Sequence, residues 1–232
     1  MKIKTLLAGM ALSVAAAPSF AEVISVEVTN LTHGSYFTPL LLTAHGDNLH
    51  LFNVGTAATP ELQAMAEGGS IDGLVALASA ANASNMPNPA GGLLAPGAKT
   101  SVMQWDTGSN GYLSIVGMVL PSNDGFVGLN SWKIPTAKGK YTVMLNAYDA
   151  GTEANDEIVN GGGAPGAPGI PANPGANGGT GATGVTSTEA NQTVHIHRGV
   201  LGDTEEFSGP SDLDSRIHRW LNPVAKLVVT VE

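Results

Sequence analysis

The clearest pattern in the chain has a period of two. Val23-Ile24-Ser25-Val26-Glu27-Val28-Thr29 alternates, is rich in β-branched residues and predicts a strand. Residues 36–44 are more continuously apolar and predict a buried strand, and residues 49–54 offer a third. Residues 99–105 and 112–120 predict two strands around the turn Asp106-Thr107-Gly108-Ser109-Asn110-Gly111, whose residue types tolerate positive φ. Residues 140–148, a short piece at 193–198 and the Val-rich 224–231 complete the strands. The period becomes helical twice. Thr59-Pro60-Glu61 supplies an N-cap, a proline at the first helical position and a first-turn acid, and Gly68-Gly69 closes that helix. Ser70 then caps a second helix over 71–81, with Leu74, Val75 and Leu77 as its apolar stripe. Residues 82–96 read as a loop. Ser211-Asp212-Leu213-Asp214 has capping-box spacing and predicts a short helix toward Trp220, stopped by Pro223. Seven or eight strands with few helices between them predict a mainly β protein: an antiparallel β-sandwich with a few short helices inserted at one end.

Composition narrows the class. The 232 residues are 43% hydrophobic and 12% charged, apolar enough to bury a core. Ten Lys and Arg face 19 Asp and Glu, and no basic stripe points to nucleic acid. Cysteine is absent, which excludes disulfides, thiolate metal sites and a cysteine nucleophile. Residues 1–21 read as a secretory signal: Lys2 and Lys4 precede a 12-residue apolar run, and Ser19-Phe20-Ala21 fits a cleavage site before Glu22. That run is shorter than the roughly 20 residues of a membrane span. The expected mature chain is a single domain over residues 22–232, secreted to the periplasm or beyond, without a membrane span, and monomeric.

Within it lies a collagen-like insertion at 160–187. From Gly163 the chain keeps a three-residue beat, GAP GAP GIP ANP GAN GGT GAT GVT, broken only where Ala172 takes a glycine place. Eight triplets with a break are a poor triple helix, so the tract reads as a solvated loop leaning toward polyproline II.

Two acidic loops follow strand ends. Pro121-Ser122-Asn123-Asp124-Gly125-Phe126 leaves the strand that ends at Leu120, and Tyr148-Asp149-Ala150-Gly151-Thr152-Glu153-Ala154-Asn155-Asp156-Glu157 leaves the strand that ends near Tyr148. If both strands run the same way, Asp124, Asp149 and Glu153 converge at one end. Neighbouring carboxylates repel unless a cation sits between them, and a hard divalent ion that takes 6–8 oxygens suits them. Solvated turn acids fit the same spacing. His195-Ile196-His197-Arg198 places two imidazoles on one strand face, a weaker zinc or copper candidate beside the plainer reading of a polar edge-strand face with Ile196 in the core. No G-x-S-x-G or P-loop is present, and no G-x-G-x-x-G opens a helix.

Several stretches in order resemble the spondin N-terminal domain family in its compact bacterial form. They are Val28-Thr29-Asn30-Leu31-Thr32 with Tyr36-Phe37-Thr38-Pro39-Leu40, the two acidic loops with Val127-Gly128, His195-Ile196-His197-Arg198-Gly199, and Trp220-Leu221-Asn222-Pro223-Val224-Ala225-Lys226. The resemblance implies a C2-like sandwich with calcium held by loops at one end. By that resemblance the ligand positions are Asp124, Asp149 and Glu153, where Glu153 stands for a family aspartate and Asp156 is its substitute. It also implies an extracellular adhesion or matrix role, with a surface protein or polysaccharide as partner. The alternatives are a metal-assisted hydrolase using His195 and His197, and a metal-free structural envelope protein.

Overall fold

The computed structural model describes residues 22–176 and 178–232; the expected signal segment, 1–21, lies outside the described residues. Ten strands and two helices follow in the order β1 (Val23–Asn30), β2 (Tyr36–Phe37), β3 (Leu41–His45), α1 (Pro60–Gly68), α2 (Asp72–Ala80), β4 (Ser84–Pro87), β5 (Lys99–Asp106), β6 (Tyr112–Leu120), β7 (Gly125–Lys133), β8 (Gly139–Asp149), β9 (His195–Ile196) and β10 (Ala225–Val231). The sheet order is β4-β3-β6-β7-β8-β10-β1-β5, with β2 on β6 and β9 on β8. Every strand pair is antiparallel. The protein is therefore mainly β, as the alternation predicts.

The sheet nearly closes into a barrel. Its edge strands β4 and β5 approach where Trp105 Nε1 donates to Ser84 Oγ at 2.8 Å. One apolar core drawn from β1, β3, β5, β6, β7, β8 and β10 fills the inside, with Ile24, Leu42, Ile115, Val127, Leu145 and Leu227 among its members. In β10 the alternation is plain: Ala225, Leu227, Val229 and Val231 point in and are buried, and Lys226, Val228 and Thr230 alternate with them, half-buried. The 11-residue β8 serves two neighbours. Its residues 139–145 pair with β10, whereas 146–149 pair with β7.

The helices cover a face of the sheet rather than one end. Leu62, Met65 and Leu74 pack with Leu41, Val116, Met118, Leu120 and Phe126 in a second core. This is why β3 and β6 read as continuous apolar runs: Leu113, Ile115 and Val119 face the inner core while Val116, Met118 and Leu120 lie under the helices. α1 starts and stops as its sequence predicts, with Thr59 Oγ1 accepting from the Leu62 N–H and Gly69 left-handed at φ 73°. α2 starts one residue later than predicted, and Ile71, not Ser70, is its cap position.

Other expectations fail locally. Residues 49–54 form no strand; they drape Leu51 and Phe52 onto the second core. Residues 82–96 contain β4, and the run after Asp124 is strand β7 rather than loop. The helix expected from Ser211 is a single turn at 214–218, because the capping residues are spent elsewhere: Ser211 Oγ donates to Glu157 and Asp212 accepts backbone amides of Val159, Thr180 and Ala182. No helix among the described residues is long and apolar enough to cross a membrane.

Two substitutions test this architecture in urea denaturation. Leu227→Ala in the inner core is expected to cost about 2–5 kcal/mol. Trp105→Phe, which removes the donor across the sheet seam, is expected to cost about 1 kcal/mol. Loss of less than a few tenths of a kcal/mol at Trp105 would show that the seam contributes nothing.

Candidate functional site

The site begins with strand direction. β6 and β8 flank β7, and both pair with it antiparallel, so they run the same way and their exits meet. The register sets Asp149 opposite Gly125, next to Asp124, and the Ala150 N–H donates to the Asp124 carbonyl at 3.2 Å. β9 pairs on the free side of β8 at the same level, with His195 opposite Asp149. Gly151 turns the chain at φ 70°, where an added Cβ would lie 2.7 Å from Asn191 O and Thr193 N; only glycine fits there.

Asp124 is fully buried. Its Oδ2 accepts from Thr152 N–H at 2.8 Å, from Thr152 Oγ1 at 3.1 Å and from Glu153 N–H at 3.4 Å, while Oδ1 is buried without a partner. Asp149 is also buried; it accepts from Gly151 N–H at 2.9 Å and Asn155 Nδ2 at 2.7 Å. Glu153 accepts from Gly169 N–H at 2.8 Å and Asn123 Nδ2 at 3.4 Å through Oε2, while Oε1 is buried without a partner. Asp149 thus stands beside the Asp124 loop across the strand pair, and the Glu153 N–H meets the Asp124 carboxylate. Asp156 is engaged differently: its Oδ1 accepts from Asn123 Nδ2 at 2.7 Å and Ile158 N–H at 3.0 Å, so it closes its own turn.

Among the described residues no Lys or Arg pairs with these acids. Among the described residues their only ion-pair contacts are Asp149 Oδ2 with His195 Nε2 at 3.9 Å and His197 Nε2 at 4.0 Å. Burial raises the carboxyl pKa of Asp124, and the Asp149 charge raises it further. Burial raises Asp149 too, and pushes Glu153 up to about 8. Asp212 shows the opposite balance. Burial works against its charge, but amides of Val159, Ala182 and Thr180 outweigh it and hold the pKa below the ordinary value. The difference is saturation of the oxygens. Asp212 and Glu157, which accepts from Leu201 N–H, Gly202 N–H and Ser211 Oγ, are satisfied latches, whereas Asp124 and Glu153 each keep an unpaired oxygen.

The two histidines are not equivalent. His195 Nδ1 lies 2.8 Å from the Thr193 carbonyl, which makes it the donor and leaves a lone pair on Nε2. His197 Nδ1 accepts from Gly199 N–H at 2.9 Å, so its buried Nε2 carries the hydrogen and offers no lone pair. His197 is buried against Trp220, ring centres 4.9 Å apart, and burial pushes its pKa down to about 3. Ile196 is 49% exposed, so the edge-strand expectation is inverted: the imidazole is inside and the isoleucine outside.

Sequence reasoning missed Glu67, fully buried on α1, whose charge acts on Glu153. It also missed Asn123 and Asn155, whose amides hold the carboxylates. A glutamate followed by two glycines at a helix end carries no local sign of burial.

Among the described residues no group of three or more His, Asp or Glu side chains stands in geometry for holding a metal. The chemistry of the donors nevertheless fits a hard cation: all oxygen, buried, with two orphaned carboxylate oxygens and, among the described residues, no Lys or Arg in contact.

Stability against pH tests this electrostatics. The contribution of Glu153 is full below its ordinary 4.5 and is lost as pH rises through about 8. His197 works the other way and is complete above its ordinary 6.5. In chelator, the melting temperature should therefore fall between pH 6.5 and about 8.5, and Glu153→Gln should flatten the fall. A flat wild-type profile would contradict the raised carboxyl.

No curated protein matches the chain. The Spondin_N family model matches residues 29–158, from β1 through both acidic loops and more than half of the 232 residues. The chain belongs to the spondin N-terminal domain family.

Proposed function

We propose that this protein is a secreted, calcium-binding β-sandwich module that recognises a surface protein or polysaccharide. The observation that carries the reading is the pair of buried oxygens, Asp124 Oδ1 and Glu153 Oε1, which among the described residues have no hydrogen-bond partner and no cationic side chain in contact. An uncompensated buried charge is strongly unfavourable, and a divalent ion is the partner that suits an all-oxygen set outside the cell. Asp124, Asp149 and Glu153 would hold it, with backbone carbonyls and water completing the shell. Bound calcium supplies positive charge that keeps the acids ionised. Loops 121–124 and 150–158 then hold one shape and present a fixed surface. The division of β8 between β10 and β7 supports reading the nearly closed sheet as the two layers of a C2-like sandwich that share one strand.

The hydrolase alternative is not favoured, because His197 has no lone pair free for a metal. The metal-free envelope alternative leaves the orphaned oxygens unexplained.

Thermal unfolding tests the proposal. With a dissociation constant of about 10⁻⁴ M, calcium at 100 times that level adds about 2.7 kcal/mol, a rise of roughly 5–10 °C for a domain of this size. Asp124→Asn is expected to abolish the calcium response. It is also expected to melt higher than wild type in chelator at pH 8, because it removes a buried charge without changing shape. Superimposable wild-type curves in calcium and chelator would sink the proposal.

A further inference from the structure

We propose that loop 159–170, the opening part of the glycine-proline tract, is a strap that positions Glu153 for the cation, with Glu67 of α1 anchoring its far side. This rests on the calcium reading above.

The loop is closed at its neck. Val159 and Ile170 form a parallel bridge, and the Ile170 N–H donates to the Ile158 carbonyl at 2.7 Å. Both side chains pack with Val200 and Leu213 in a small third core. Asp212 Oδ2 accepts the Val159 N–H at 2.7 Å and ties the neck to the 200–213 segment. From this neck the loop reaches two acids on different elements. The Gly166 N–H donates to Glu67 Oε2 at 2.6 Å, and the Gly169 N–H, one triplet later, donates to Glu153 Oε2 at 2.8 Å.

The three-residue beat makes this reach possible. Gly163, Gly166 and Gly169 all have positive φ, at 108°, 81° and 111°. A collagen strand or polyproline II keeps φ near −75°, so the tract is a chain of left-handed corners and not a collagen-like rod. At Gly169 a side chain is excluded twice, by the backbone angle and by the Asn160 carboxamide where a Cβ would sit. The strap lies close on α1: a Cβ on Gly68 would collide with the Gly163 carbonyl.

Glu153 is divided between two tasks. Oε2 is held by the strap, and Oε1 is buried and free. An amide on one oxygen and a cation on the other both favour the same ionised, fixed carboxylate, so each strengthens the other. This gives a reason for glutamate where the family resemblance expects aspartate: the added methylene lets the carboxylate reach the strap at Gly169 while its second oxygen stays free. Glu67 is a positioning residue. Its Oε1 is taken by Gln63 Nε2 at 2.8 Å and its Oε2 by the strap, so it holds the strap at Gly166, and its charge is also felt at Glu153.

Amide hydrogen exchange by NMR, read beside calorimetric calcium titration on the full mature chain, tests the proposal. In wild type, calcium should slow exchange of the Gly166 and Gly169 amides at least about tenfold. Glu67→Ala should restore fast exchange with calcium present and weaken calcium binding about fivefold, the low end of a typical coupling. Glu67→Gln, which keeps an acceptor oxygen, should recover most of both. If calcium binds but Gly169 exchange in wild type is unchanged, the strap is wrong and the calcium reading stands; this arm needs no variant to fold. Normal calcium affinity in a folded Glu67→Ala also overturns it. Absence of any calcium binding to wild type overturns the calcium reading itself, and the strap with it.

Discussion

The structure turns on an imbalance: buried carboxylates that, among the described residues, no Lys or Arg pairs with. Asp124 and Asp149 sit at the meeting point of two strand exits, and Glu153 joins them from the loop that follows. Elsewhere the protein pairs its buried acids fully, Asp212 with three backbone amides and Glu157 with two amides and a hydroxyl. At this one end the pairing stops short and two oxygens are left over. A fold only marginally stable overall has little room for such a cost unless something bound offsets it.

The rest of the architecture holds that imbalance in place. The parallel course of β6 and β8 fixes where the exits lie, and the helices bury the outer face of β6. The glycine-proline tract is part of the same construction. Its amides reach Glu67 and Glu153, and farther along the tract Thr180 and Ala182 bind Asp212, so acids tie the segment at four amides.

Much of this was legible in the sequence, for physical reasons that differ between elements. β1 and β10 alternate because one face of each is in the core. α1 was bounded by Thr59 and Gly69, whose roles are local. The approach of the two acidic loops was legible because every second strand of an antiparallel sheet runs the same way, which puts the ends of β6 and β8 at one level. β7 was hidden because its first four residues are buried on both sides and two of them are glycines, so no alternation marks it. The turn at 214–218 passed for a helix because Ser211 and Asp212 look like caps, yet they bind a distant segment. The tract looked like collagen because composition carries the glycine beat but not the sign of φ. The different tautomers of His195 and His197 depend on which backbone group meets Nδ1, which no spacing reveals.

The most direct test of the central claim is the titration of the Glu153 carboxyl itself, followed by ¹³C NMR in chelator and again in calcium. The account predicts a midpoint near 8 without calcium and a midpoint below the ordinary 4.5 with it. An ordinary midpoint in chelator, unmoved by calcium, would show that the acid was never in want of a partner.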